Sequence, residues 1–255
     1  MTNPYRFHLN SFFETITDFK HAANRLNKVL LNDVKIYTAE GAGFFSGTAL
    51  VIGDWTGPTD NGWKLKFHTG IQKSTFKENY ANEINAVLSR EFGLAFAQCF
   101  EALERFLKRV AREKGRNNQE FQLLLLDKKY STGDSLKGGD AIFDLIKKAG
   151  GLRFKEYSRD NNHNFKFKEI FTIFAEVRHA VTHSQGELKV IKLMKSDYYN
   201  VLFEYLFPFN KLKGEVVPLV FDYRTMDRLL TYLAEFGYQI FKILSEEEKL
   251  DWRIE

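Results

Sequence analysis

The segment "FAEVRHAVTHSQGE", residues 174–187, gathers Arg178, His179 and His183 just before a Ser-Gln-Gly exit. These residue types can handle phosphate and move protons without a metal. A neutral imidazole accepts or delivers a proton near neutral pH. A guanidinium grips two phosphoryl oxygens without losing its own proton. Two other readings of the same residues stand beside this one. Cations near a helix C-terminus stabilise it by about 0.3–1 kcal/mol each, with no chemistry involved. Two histidines four residues apart can also share a metal ion, as in zinc sites. That reading lacks a third ligand: His163 lies in a separate connection, and the glutamate of an HExxH pattern is absent.

A helix from about residue 165 to 184 must hold these groups. Phe167, Ile170, Phe171, Phe174, Val177 and Val181 form its core-facing stripe. His179 and His183 stack on one face, and Arg178 shares another with Thr182. Arg178 and His183 are five residues apart, about 140° around the axis. They can converge only through the length of Arg178 or a loosened last turn near Gly186.

The rest of the chain reads as the frame for that helix. Its 255 residues include 25 Phe and 11 Tyr but only four Pro, which favours a Phe-packed, largely helical body. Ser11 with Glu14 marks the start of a helix over residues 11–32. Residues 34–70 alternate β-branched and aromatic residues with Gly, Asp and Asn clusters, predicting two or three short strands. Within them "GAGFFSG" has the glycines of a phosphate loop, but a strand pattern follows where a helix is needed, so a bulged hairpin is the reading.

Thr75 and Glu78 predict a second cap and a long helix to about residue 114. Its last turns carry six basic residues in "RFLKRVAREKGR", a solvated basic end or a contact for an RNA backbone. "GRNNQE" predicts a loop, 121–126 a short buried segment of open type, and Asp140 a cap for a helix over 141–149. A polar connection follows Gly150 and Gly151. Residues 197–209 are apolar on nearly every side, and a last helix is expected from Tyr223 to about Glu247. The fold class is therefore mainly α: a helical bundle with a small β-rich insertion near the N-terminus. The division expected is 1–75, an N-terminal helix with the strands, and 76–255, the helical domain.

Arg178-x4-His183, with His179 in the polar place after the arginine, resembles the signature of the HEPN superfamily. The match is detailed over the motif helix and extends to the helical pattern of residues 76–255; residues 34–70 lie outside the minimal family pattern. The resemblance implies a HEPN-like bundle and a metal-independent endoribonuclease without a cofactor. It implies a two-fold homodimer that brings two motifs into one cleft, with 197–209 and the final helix as candidate surfaces. RNA cleavage by its own 2′-hydroxyl needs a base, an acid at the leaving 5′-oxygen, and positive charge on the phosphorane. His183 then takes the acid–base work, Arg178 the phosphate and transition-state charge, and His179 orients its neighbours or contacts the phosphate.

The same resemblance points to a toxin or anti-phage effector, with RNA as substrate and a cognate antitoxin or inhibitor as partner. The alternative is a catalytically silent HEPN-like module that binds a protein or nucleotide. A net charge of +4 is too small to decide between them. The single Cys99 excludes an intrachain disulfide framework and a cysteine-based zinc cluster. No apolar run approaches the roughly 18–20 residues that span a bilayer, and the N-terminus lacks a signal pattern, so the cytoplasm is the expected compartment.

Overall fold

Phe and Leu recur at helical spacing through most of the sequence, and helices form wherever they do. The computed structural model describes residues 3–42, 45–56, 66–127, 136–193 and 196–254. In chain order it contains α1 (Arg6–Tyr37), β1 (Phe45–Gly53), β2 (Lys66–Phe76), α2 (Lys77–Asn117), α3 (Gln119–Asp127), α4 (Asp140–Ala149) and α5 (Gly151–Tyr157). Then come α6 (Phe167–His183), β3 (Glu187–Lys189), a 3₁₀ turn at Val190–Lys192, α7 (Asp197–Leu206), β4 (Val216–Pro218) and α8 (Tyr223–Glu247). The protein is mainly helical, with two small two-stranded sheets among the described residues. No helix among those residues is long and apolar enough to cross a membrane.

Contacts divide the chain into two compact units: Met1–Arg25 with Leu88–Glu255, and Leu26–Val87. The first unit is built around aromatic side chains. Phe171 of α6 meets Phe100 of α2 at 5.3 Å, Phe143 of α4 at 5.2 Å and Phe236 of α8 at 6.0 Å between ring centroids. Phe174 meets Phe96 at 5.6 Å, in an edge-to-face geometry favoured by ring quadrupoles. Both faces of α6 that carry apolar residues are thus fixed from three sides, and Phe171 and Phe174 are fully buried.

Helix α8 starts where the Asp222 side chain accepts a hydrogen bond from the Thr225 N–H at 2.7 Å, satisfying one of the free first-turn donors. Gly237 lets Phe12 of α1 lie against α8, since a Cβ there would approach Phe12 Cε1 to 2.5 Å. Chain ends are tied down by polar groups: Asn3 Nδ2 donates to Ser245 Oγ at 2.8 Å, and buried Lys114 pairs with Glu248 at 2.8 Å.

In the second unit, β1 and β2 pair antiparallel with a register shift between Ala49 and Val51, the bulged hairpin that the glycine spacing predicts. Residues 43 and 44 of "GAGFFSG" lie outside the described residues. Tyr80 donates to the Asp33 carboxylate, and its ring meets that of Tyr37 edge-on at 5.7 Å.

Several local expectations are corrected. Helix α1 begins at Arg6, so Ser11 lies inside it and caps nothing; α1 then continues through residues 34–37, where a strand pattern was read. The Thr75 hydroxyl donates to Glu83, not to the start of α2. Residues 121–126 are helical, within α3. Gly139, not Asp140, is the N-cap of α4, and Asp140 pairs with Lys168 at 2.6 Å. The polar connection after Gly150 begins as helix α5. Strands also occur outside 34–70: β2 runs to Phe76, and β3 pairs with β4.

Candidate functional site

Helix α6 ends by design of its sequence. The N–H groups of Ser184 and Gly186 both donate to the Ala180 carbonyl, at 3.0 and 2.9 Å. Reaching that geometry puts Gln185 at φ 53° and Gly186 at φ 83°, the left-handed region that glycine enters without steric cost. The chain then turns directly into β3, and the Leu219 N–H donates to the Gly186 carbonyl at 2.8 Å. Leu188 is buried opposite Val217. The Ser-Gln-Gly exit and the β3–β4 ladder therefore fix the position at which the motif leaves the helix.

His179 and His183 are exposed and side by side, with ring centroids 5.0 Å apart. His179 is held below the ordinary histidine value. Loss of solvent at one edge is the largest cause, followed by Lys192 and His183, against a smaller opposing pull from Glu176. The His179 ring stands beside that of His183 with no hydrogen bond between them among the described residues.

Arg178 takes a different direction. Its guanidinium lies 3.6 Å from the Glu104 carboxylate and 5.9 Å from the centre of the Phe100 ring, both on α2. No hydrogen bond, ion pair or ring contact joins Arg178 to His183 among the described residues. The structure brings the two histidines together and leaves the arginine one face away, as the 140° offset implies.

Glu104 was not legible as a site residue, though its signal was present. It sits four residues after Phe100 and three before Leu107, on the apolar face of α2, where a carboxylate requires partners. It is buried and has two: Arg178, and the Gly139 N–H at the start of α4. Gly138 lets the carboxylate lie close, since a Cβ there would meet Glu104 Oε1 at 2.6 Å and push it aside. One buried carboxylate thus ties α2, α4 and the Arg178 guanidinium together.

Arg178 is not explained as a cation that offsets the helix dipole. It lies before the last turn of α6, in which His183 is the basic residue, so the helix dipole does not account for it. Its Nε is buried without a hydrogen-bond partner in the protein, as are those of Arg112 and Arg228. Among the described residues no group of three His, Cys, Asp or Glu side chains could hold a metal, which leaves the His179–His183 pair without the further ligands a zinc site takes. The Cys99 thiol is buried and pushed up to about 12, far from a reactive thiolate.

Both imidazoles of the motif are exposed at the surface. A concavity of about 420 Å³ lies at the other end of α6, between residues such as Tyr157, His163, Phe165 and Tyr232, and none of the three motif residues lines it. Exposed imidazoles suit a long polymer better than a small molecule, which needs enclosure. No protein-family model matches the chain, and no curated protein or solved structure is found to match it.

Substitution at Glu104 tests this arrangement. Glu104→Ala leaves both the Gly139 N–H and Arg178 without their acceptor, and should cost about 2–3 kcal/mol of stability. Glu104→Gln keeps a carbonyl for Gly139 and should cost less. Denaturant unfolding measures the order; equal midpoints for wild type and the alanine variant would show that Glu104 holds nothing.

Proposed function

We propose that the protein is a metal-independent endoribonuclease of HEPN type, in which His183 moves the proton, Arg178 carries the phosphate and His179 supports His183. The observation that carries this reading is the arrangement at the end of α6. Two adjacent exposed imidazoles share the C-terminal part of α6 with a guanidinium one face away that is anchored through Glu104. Acid–base groups and a fixed cation suit phosphodiester cleavage once they share a cleft.

Within one chain Arg178 and His183 are out of contact, and that separation favours a homodimer in which two copies of residues 178–183 share a cleft. Of the two surfaces considered for the dimer, α8 is largely consumed by the core, with Leu229, Leu230, Leu233, Ile240 and Phe241 buried. The segment 197–209 keeps Val201, Tyr205 and Phe209 exposed and is the better candidate. RNA is the substrate, no cofactor is used, and a toxin or anti-phage role with a cognate inhibitor is the setting this chemistry fits.

Purified protein incubated with a mixed RNA pool in EDTA should cut it, with a specific activity that falls on dilution below the dimer dissociation range. Intact RNA under every condition would favour a silent helical module that binds a protein or nucleotide.

A further inference from the structure

We infer that one face of α2 is the surface that holds the RNA strand: Arg105, Lys108, Arg109 and Arg112 take successive backbone phosphates and lead them to Arg178. The inference rests on the ribonuclease reading for its ligand, and on the charge accounting of α2 for its place.

Six basic residues lie between residues 105 and 116, and their partners divide them. Lys114 is buried against Glu248 at 2.8 Å, and Arg116 pairs with Glu113 at 3.0 Å. Those two belong to the last turn, where a helix dipole favours cations. The other four lie upstream of that turn and form no ion pair or hydrogen bond among the described residues. Arg105 and Arg109 are exposed; Lys108 and Arg112 are half-buried.

At about 100° per residue the four fall within an arc of roughly 100°, over two turns or about 10 Å of axis. Arg105 with Arg109, and Lys108 with Arg112, stand four residues apart, a like-charge spacing that destabilises a helix. Two of the three carboxylates of α2 near the stripe are paired elsewhere. Glu104 is engaged by Arg178 and Gly139, and Glu113 by Arg116, which leaves Glu101 as the carboxylate on this face without an ion pair. Such a stripe is complementary to a polyanion. Its edge leads to the site: Lys108 is one turn beyond Glu104 and about 40° from it around the axis, and Glu104 holds Arg178.

The test is binding of a single-stranded RNA whose 2′-hydroxyls are all methylated, so that 2′-hydroxyl attack is blocked and affinity is read alone. Fluorescence anisotropy across a salt series should give a wild-type log–log slope of roughly 3–3.5, as expected for four or five phosphate contacts to a single strand. Arg105→Gln combined with Arg109→Gln should lower the slope by about 1.4 and weaken binding roughly 10–100-fold at about 50 mM salt. Lys211→Gln with Lys213→Gln, a matched loss of two exposed cations, should leave the slope near wild type. Equal binding by wild type and the Arg105/Arg109 double variant would overturn the proposal, as would an equal loss in the lysine control. Tighter binding of polyglutamate than of the RNA would also overturn it, in favour of an acidic protein partner. Because this RNA resists cleavage, failure of the ribonuclease reading is seen separately: binding would follow the stripe while unmodified RNA stays intact.

Discussion

His183→Ala should reduce RNA cleavage by 10²–10⁴-fold, the usual contribution of a positioned general acid or base. The fold should not notice. His183 is exposed, and its neighbour is another exposed ring, so neither a packed methyl nor a buried hydrogen bond is lost. His179→Ala removes the adjacent ring and should be milder, because the group remaining still has the proton to move. Rates on a defined RNA, with thermal melts for each variant, separate the two. A His183→Ala enzyme as fast as wild type would remove the residue from the mechanism; a larger loss at His179 would exchange their roles.

Arg178→Lys should cost roughly 10² or more in rate although it conserves charge. An ammonium is a point charge on a flexible stem, whereas the guanidinium offers donors in a rigid plane that matches two phosphoryl oxygens. Errors near 1 Å in placing such a group reach 10²-fold. Stability should hold, since lysine can still face Glu104 and the substitution removes the buried Nε that lacks a partner. The check is single-turnover cleavage alongside a thermal melt. A lysine variant with wild-type rate would mean that charge alone suffices, and a melt lowered with the rate would return Arg178 to a structural role.

The helical frame was legible because its signal is periodic and repeated. α8 spans the residues expected for it, and the α6 stripe of Phe167, Ile170, Phe171, Phe174 and Val177 is buried as its spacing requires, with Val181 half-buried at its end. Caps were the weaker signal. Ser11 and Glu14 fit a capping box, yet the chain enters α1 earlier, with Asn3 accepting from the Tyr5 N–H at 3.0 Å. Residues 34–37 were read as strand because local preference favours it, but they lie inside a helix already propagating from Arg6. Strands β3 and β4 were missed because three residues carry too short an alternation to detect. Glu104 was missed for a different reason: it matters through Arg178 and Gly139, which are distant in sequence.

The central claim is attack by the substrate's own 2′-hydroxyl, without metal, at the α6 motif. It is tested most directly with a DNA strand carrying one ribonucleotide, incubated in EDTA with wild-type protein and with His183→Ala. The expected result is a single cut after the ribonucleotide, a 2′,3′-cyclic phosphate on the upstream fragment, and loss of that product with His183→Ala. Cleavage elsewhere in the deoxy strand, an absolute need for a divalent ion, or the same product at the same rate from His183→Ala would contradict it.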